Sequence, residues 1–254
     1  MDRTVRSVDD VLALMDRLFA PEADRWTGGA GAWWDAFYAD RSQPVPFFVD
    51  KPDEHLVSAL DRGLITPGRA LDLGCGPGRN ALFLASRGFE VDAVDLSRGA
   101  LAWAGERAAE AGAAVRFHHG DAFAPDAPDG PYDLIHDSGC FHHLPPHRRV
   151  SYLRLVERSL VPGGHLVLTC FASGAMGSEL SDADLYGAAG LQGGLAYTPE
   201  SLRWIFSGME EVELRRMRDE PAGSPCFGED FLWAALLRKP DGPGPAPSSG
   251  RAPR

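Results

Sequence analysis

The sequence predicts an α/β fold, namely a Rossmann-like, seven-stranded and mostly parallel sheet with helices on both faces and a C-terminal antiparallel hairpin. Three observations carry this prediction. From Arg69 onward, short apolar runs alternate with helical patterns long enough for right-handed crossovers. A glycine-rich turn joins the first apolar run to the helical pattern after it. The last two apolar runs follow one another as a hairpin would, and they close the sheet.

Each element follows from local periodicity and turn residues. The parallel strands are expected near residues 69–73, 89–95, 114–118, 132–137 and 165–171. The crossover helices are expected at 78–88, 97–111 and 146–160. The closing hairpin is expected from the runs at 210–217 and 230–238.

Three helical segments precede the first strand. Ser7 is a candidate N-cap for the first, the second runs from Ala30 to Asp40, and the third begins after Pro52. We therefore divide the chain into an N-terminal helical lid at residues 1–66, a main domain at 67–239 and a disordered tail at 240–254. Within the main domain, residues 172–197 form a glycine-rich insertion without clear periodicity, and we expect it to cover an acceptor pocket.

The amino-acid composition and net charge exclude several classes of partner. The 254 residues are 44% hydrophobic, which allows one substantial core, and the formal net charge is −11. An acidic chain is a poor match for a phosphate backbone, so no nucleic-acid partner is expected. The four cysteines lack the close spacing of zinc or redox motifs, and the N-terminus has no apolar run that would direct secretion or membrane insertion. We expect a cytoplasmic protein, a monomer or homodimer, with no metal site and no membrane partner.

The first predicted strand ends in the loop Asp72-Leu73-Gly74-Cys75-Gly76-Pro77-Gly78, which opens into a helix. Glycines there allow a ligand to approach the backbone closely. The Gly-x-Gly-x-Gly spacing differs from the Gly-x-Gly-x-x-Gly of dinucleotide sites, and Asp72 would repel a pyrophosphate but suit a cationic amino-acid ligand. A plain strand-to-helix turn is the structural alternative.

Aspartates also follow the next two predicted strands. Asp95 lies about twenty residues after Gly74, where a carboxylate can accept hydrogen bonds from both ribose hydroxyl groups. Asp121, with Ala122 and Phe123, could contact the amino group and ring of an adenine. Each aspartate could instead cap a helix, but three carboxylates at successive strand ends favour one ligand site.

Together these motifs resemble the class I S-adenosylmethionine-dependent methyltransferase family from about Arg69 to Phe171, including the turn at residues 160–168. The resemblance implies that S-adenosylmethionine is the cofactor, with Asp72 and the glycines at its methionine part, Asp95 at the ribose and Asp121 at the adenine amino group. The expected cofactor-binding residues are Asp72, Gly74, Cys75, Gly76, Gly78, Asn80, Asp95, Leu96, Asp121, Ala122, Phe123 and Asp137.

The acceptor side is expected at the end of the fourth strand, the topological switch of the sheet. His142 and His143 follow that strand directly and are the candidate catalytic residues, as a general base or as substrate orienters. They could equally cap a helix or satisfy backbone carbonyls. If the acceptor is a thiolate or another anion, they would serve only for shape and desolvation.

Aromatic residues supply the expected acceptor pocket. The candidate substrate-contacting residues are Trp34, Phe37, Tyr38, Phe47 and Tyr186, although ordinary core packing could explain part of this set. The order of Trp34, Tyr38, Pro46, Phe47 and Pro52, together with Asp137-Ser138-Gly139 and residues 146–152, resembles the thiopurine, thiol, halide and tellurite methyltransferase branch. Ser138, however, stands where that branch often has a basic residue.

The expected function is methyl transfer from S-adenosylmethionine to an oxygen, nitrogen or sulfur atom of a small-molecule acceptor, by in-line displacement. Two alternatives stay open at this point. The same cofactor could undergo cyclisation or aminoalkyl transfer, or the protein could be a cofactor-binding regulator without catalysis.

Overall fold

The computed structural model describes residues 5–20, 22, 24–188 and 193–242. Within them the chain forms a seven-stranded sheet with the order β3-β2-β1-β4-β5-β7-β6. Its strands are β1 (Arg69–Leu73), β2 (Glu90–Asp95), β3 (Val115–His119), β4 (Tyr132–Ser138), β5 (Leu160–Phe171), β6 (Glu210–Arg216) and β7 (Leu232–Arg238). Strands β1 to β5 pair in parallel, whereas β7 runs antiparallel between β5 and β6. The predicted fold class is confirmed.

The helices occupy the predicted crossovers and the N-terminal segment. They are α1 (Val8–Leu18), α2 (Gly31–Ala39), α3 (Glu54–Asp61), α4 (Arg79–Ser86), α5 (Arg98–Ala111), α6 (Pro146–Ser159), α7 (Asp182–Gly187) and α8 (Pro199–Ile205). Ser7 caps α1 as predicted, because its side chain accepts a hydrogen bond from the Asp10 N–H. The last two helices are short and were not predicted.

The sheet is buried on both faces, and alternate residues of its strands divide between two cores. Leu71 and Ile135 belong to a core that includes side chains of α6, such as Tyr152. Ala70 and Leu134 belong to the other core, which includes side chains of α3 and α4. The alternation follows from the period of two along a strand, and it places helices on both faces as predicted.

Strand β5 begins five residues earlier than predicted. The Pro162-Gly163-Gly164 turn belongs to the strand because the chain beyond β7 pairs with it: the Gly163 N–H donates to the Lys239 carbonyl and the Lys239 N–H donates to the Gly164 carbonyl, at 2.9 and 2.8 Å. The closing strands are antiparallel as predicted, but residues 217–231 separate them, so they do not form a tight hairpin.

The N-terminal segment packs on the side of the sheet where β1 and β2 end. Helix α2 contacts α5, and a Cβ atom at Gly31 would lie 3.0 Å from the carbonyl oxygen of Leu96. Of the predicted disordered tail, residues 243–254 lie outside the described residues. Among the residues that the structure describes, no helix is both long enough and apolar enough to cross a membrane.

Candidate cofactor and acceptor site

The loop after β1 has the backbone that its glycines predict. Gly74, Gly76 and Gly78 have φ values of +62°, +51° and +81°, in the region that side chains disfavour. A Cβ atom at Gly76 would lie 2.9 Å from the Tyr38 hydroxyl oxygen, and one at Gly78 would lie 3.0 Å from the Ala104 Cβ. Conformation and close packing therefore both require glycine here.

Asp95, at the end of β2, lies against this loop. Its two carboxylate oxygens accept hydrogen bonds from the Gly76 and Ser97 N–H groups, each at 2.8 Å. Burial raises the pKa of Asp95 to about 6, against the opposing effect of those two donors, and the negative charge of Asp72 adds to the increase. The carboxylate thus sits beside the glycine backbone, where the sequence predicted a ribose contact.

Asp72 carries the second carboxylate of the site and is almost completely buried. Its Oδ1 atom lies 2.7 Å from Nδ1 of His136, whereas its Oδ2 atom has no hydrogen-bond partner among the described residues. The other ring nitrogen of His136 lies 3.4 Å from Asp53, at ion-pair distance. Burial opposes the protonation of His136, but the charges of Asp72 and Asp53 outweigh it and raise its pKa to about 9.

Asp53 is held from the other side by Arg79, the first residue of α4. Arg79 forms an ion pair with Asp53 at 2.6 Å and donates hydrogen bonds to the Ser138 hydroxyl at 2.8 Å and the Lys51 carbonyl at 2.9 Å. Although burial alone would raise the pKa of Asp53, the charges of Arg79 and His136 hold it well below its usual range. The Asp53–His136–Asp72 chain therefore joins the N-terminal segment to the cofactor loop.

Sequence reasoning missed Asp53, Arg79 and His136. One signal was present for His136, a polar residue in the middle of the apolar fourth strand, and one for Arg79, which directly follows Gly78. Asn80 was predicted to contact the cofactor, but its side chain is directed to Asp53: its oxygen accepts from the Asp53 N–H at 2.9 Å. Asn80 thus supports the Asp53 side of the network.

The remaining predicted cofactor residues lie beyond β2, β3 and β4. Leu96 follows Asp95 directly. Asp121 accepts a hydrogen bond from the Phe123 N–H at 2.8 Å, and burial raises its pKa. Asp137 is completely buried and accepts hydrogen bonds from the Cys140 and Phe141 N–H groups, so it fixes the turn after β4. This turn positions the histidines that follow it.

His142 and His143 lie on a single 3₁₀ turn, with ring centroids 4.4 Å apart. His142 stacks on Phe171 at 3.6 Å, and burial lowers its pKa well below the ordinary value. Burial and the positive charge of Arg25 lower the pKa of His143 to about 3. Both rings are therefore neutral at physiological pH, and the Nδ1 atoms of both are buried without a hydrogen-bond partner among the described residues.

The predicted aromatic residues form one wall around α2. Trp34 lies edge-on to His143 at 5.2 Å and stacks with Tyr38, whose ring also stacks with Phe48 at 5.5 Å. Phe37 stacks with Phe47 at 6.1 Å. The wall therefore runs from the glycine loop, where Tyr38 lies, to the histidines.

Tyr186 lies outside this wall. Its hydroxyl is within hydrogen-bond distance of the backbone nitrogen and Nδ1 of His147, at 3.0 and 2.9 Å, and its ring packs edge-on against Phe19 at 4.9 Å. The structure brings together the other four predicted acceptor residues but places Tyr186 at a joint between α1, α6 and α7.

The described residues fit the expected cofactor. The loop offers backbone without side chains, Asp95 lies beside it, and the partnerless Oδ2 atom of Asp72 is a buried acceptor for a cationic amino group. Within the described part of the chain, no group of three or more histidine, cysteine, aspartate or glutamate side chains is arranged to hold a metal ion.

Comparison with known proteins indicates a methyltransferase domain. The family model of a methyltransferase domain matches residues 70–164. The 2-heptyl-1-hydroxyquinolin-4(1H)-one methyltransferase of Mycobacteroides abscessus is 29% identical over 136 residues, which is 53% of this chain and 60% of that protein. The chain spans about half the length of the curated relatives that it matches.

Solved structures share the fold. A structure from work on the conversion of a disulfide bond into a thioacetal group during echinomycin biosynthesis has a TM-score of 0.64 and 24% identity, covering 83% of this chain and 92% of that one. The 1,6-didemethyltoxoflavin-N1-methyltransferase of Burkholderia thailandensis, solved with S-adenosylhomocysteine, has a TM-score of 0.55 and 20% identity, covering 95% and 94%. The strand order, the glycine loop and the matching domain model agree with one another: residues 70–164 match a methyltransferase domain, and the fold is that of solved S-adenosylmethionine-dependent methyltransferases.

Proposed function

We propose that the protein transfers the methyl group of S-adenosylmethionine to a heteroatom of a small, flat acceptor molecule. One observation carries the proposal: the aromatic wall of α2 extends from Gly76, in the cofactor loop, to His143, beyond the end of β4. A flat molecule resting on this wall would lie beside the cofactor, where proximity and alignment supply much of the rate. The quinolone named for the Mycobacteroides relative is a molecule of this shape.

The cofactor supplies a methyl group on a positively charged sulfur, and transfer breaks that carbon–sulfur bond as the acceptor lone pair forms the new bond. The protein's own residues orient the acceptor and exclude water from the reacting atoms. His142 and His143, both with lowered pKa values, are poor bases at neutral pH, so their contribution is to shape the site and to offer hydrogen bonds from neutral rings. The N-terminal segment and residues 172–197 exclude water from the acceptor side.

Product analysis tests this function. The protein is incubated with S-adenosylmethionine and 2-heptyl-1-hydroxyquinolin-4(1H)-one, followed by a panel of aromatic hydroxyl, amine and thiol compounds. We expect S-adenosylhomocysteine and a singly methylated acceptor in equal amounts. Methylthioadenosine as the nucleoside product would instead indicate cyclisation or aminoalkyl transfer, and cofactor binding with no product from any compound would favour a regulator.

A further inference from the structure

A second group of residues stands out beyond the cofactor loop, and we call it the outer cluster: Arg25, Trp33, Trp34, His142 and His143. The Arg25 carbonyl accepts a hydrogen bond from the indole nitrogen of Trp34 at 3.0 Å, and Trp34 lies edge-on to His143. The Arg25 guanidinium carbon lies 4.1 Å from the centre of the Trp33 ring. The cluster thus joins the segment before α2 to the turn after β4.

Three nitrogen atoms of the outer cluster are buried and have no partner within the described part of the chain: Nε of Arg25 and Nδ1 of both His142 and His143. A buried donor left without an acceptor costs about 1–3 kcal/mol. The Arg25 Nε–H is a donor, and each histidine Nδ1 can donate or accept according to its tautomer, so three such atoms on two neighbouring segments indicate a polar ligand with an oxygen atom that accepts from Arg25.

Arg25 differs from the other half-buried or buried arginines on this side of the molecule. Arg79 pairs with Asp53, Arg148 with Asp16 and Arg149 with Asp182. Arg107 has no carboxylate partner among the described residues, but its guanidinium donates to the Pro77 and Phe48 carbonyls. Among the described residues, no carboxylate lies within 4.0 Å of the Arg25 guanidinium, and the group donates no hydrogen bond. Arg17 and Arg98 also lack an ion pair there, but both are exposed and hydrated. Arg25 therefore presents an uncompensated positive charge beside aromatic rings.

We propose that Arg25 binds an ionised oxygen of the acceptor, so that the substrates are flat aromatic molecules that carry an anionic group. This inference rests on the proposed function and specifies its substrate class. A guanidinium pairs strongly with a carboxylate or another oxygen anion, and Trp34 offers a flat surface next to it. An acceptor whose reacting atom is already ionised loses no proton on methylation, so it needs no base from this chain.

Equilibrium binding of matched probes tests the inference without turnover. The protein is first saturated with S-adenosylhomocysteine and then titrated with quinoline-4-carboxylate or quinoline-4-carboxamide, which differ in charge but hardly in shape. Isothermal calorimetry should show that the wild type binds the carboxylate at least about tenfold more tightly, since a charge-assisted hydrogen bond is about twice as strong as a neutral one. Arg25→Met should abolish this preference while keeping carboxamide affinity, and Arg25→Lys should restore part of it.

Arg98→Met is the matched control, because it removes an exposed arginine that has no ion pair. It should leave the preference unchanged. Equal affinity of the wild type for the two probes, failure of the wild type to bind either of them, or a preserved preference in Arg25→Met would overturn the inference. Failure to bind S-adenosylhomocysteine in the first step would count against the proposed function instead, so the two failures are distinguishable.

Discussion

At the scale of single residues, the Asp95 carboxylate accepts hydrogen bonds from two backbone N–H groups and still has lone pairs that can accept hydrogen bonds from a ligand. Because its pKa is raised to about 6, the group is ionised at pH 7.5 and mostly protonated at pH 5. A protonated carboxyl group is a poor acceptor of hydrogen bonds from ribose hydroxyl groups. Cofactor affinity should therefore fall as Asp95 becomes protonated.

We therefore expect Asp95→Asn to weaken S-adenosylhomocysteine binding at pH 7.5 by about tenfold or more, which corresponds to about 1.4 kcal/mol. Wild-type affinity should decrease as the pH falls from 7.5 to 5, whereas the affinity of the variant should stay nearly constant. Calorimetric titration at the two pH values measures both effects. Asp126→Asn, at an exposed aspartate, is the control and should behave like the wild type. Unchanged affinity in Asp95→Asn would remove Asp95 from the cofactor site.

At the scale of elements, His136 connects three parts of the chain. It lies on β4, contacts Asp72 at the end of β1, and reaches Asp53 before α3. Removing the imidazolium leaves two buried carboxylates with only Arg79 to balance them. Breaking a buried charge pair in this way typically costs about 3–5 kcal/mol.

His136→Asn should lower the free energy of unfolding by roughly that amount at pH 6.5. Since the pKa of His136 is raised in the folded state, its stabilisation is fully present below the ordinary histidine pKa and is lost as the pH rises through about 9. The difference between wild type and variant, measured by urea unfolding, should therefore shrink from pH 6.5 to pH 9.5. His119→Asn, at an exposed histidine, should show neither effect. A difference that stays constant with pH would mean that His136 is neutral in the folded protein.

At the scale of the whole molecule, helices α1 and α7, which are far apart in sequence, are both bonded to α6 at one joint. Asp16 of α1 is within hydrogen-bond distance of His147 and accepts hydrogen bonds from Trp26 and Arg148. On its other side, His147 contacts the Tyr186 hydroxyl of α7. Helices α1 and α7 are thus held together through His147 of α6.

Tyr186→Phe removes the hydroxyl from this joint. We expect a loss of about 1 kcal/mol in the free energy of unfolding and faster chymotrypsin cleavage within 172–197, with unchanged affinity for S-adenosylhomocysteine. Tyr132→Phe is the matched control: its hydroxyl donates to Asp92 at the other end of the sheet, so the variant should lose similar stability without faster cleavage in the insertion. An equal cleavage rate in the two variants would show that Tyr186 does not fasten the insertion.

The sequence predicts the sheet well because its signals are local. Each strand lies within a few residues of the glycine turn or the aspartate at its end, and the ends of neighbouring parallel strands share one edge of the sheet, so Gly74 and Asp95 could be placed in the same site. The start of β5 could not be predicted, since it depends on pairing with Lys239 far along the chain. Helices α7 and α8 are too short to show a clear period.

The acceptor side was predicted only in outline, because it depends on contacts between segments that are far apart in the sequence. Trp34, Phe37 and Tyr38 are neighbours in sequence, and their clustering signals a wall. The role of Arg25 could not be predicted, because the fold links it to His143 through Trp34 and leaves it without a carboxylate partner among the described residues, and neither fact follows from a local sequence pattern.

The contact between the Tyr38 hydroxyl and Gly76 also has a consequence for the order in which ligands bind. Helix α2 covers the glycine loop, and both Asp72 and Asp95 are buried beneath the assembled segments. Because Tyr38 lies against this loop, we expect helix α2 to move aside when the cofactor binds. Trp34 lies on the same helix, so the acceptor surface exists only after the helix has returned. Under the proposed function we therefore expect ordered binding, with the cofactor first and the acceptor second, and product-inhibition kinetics would check this order.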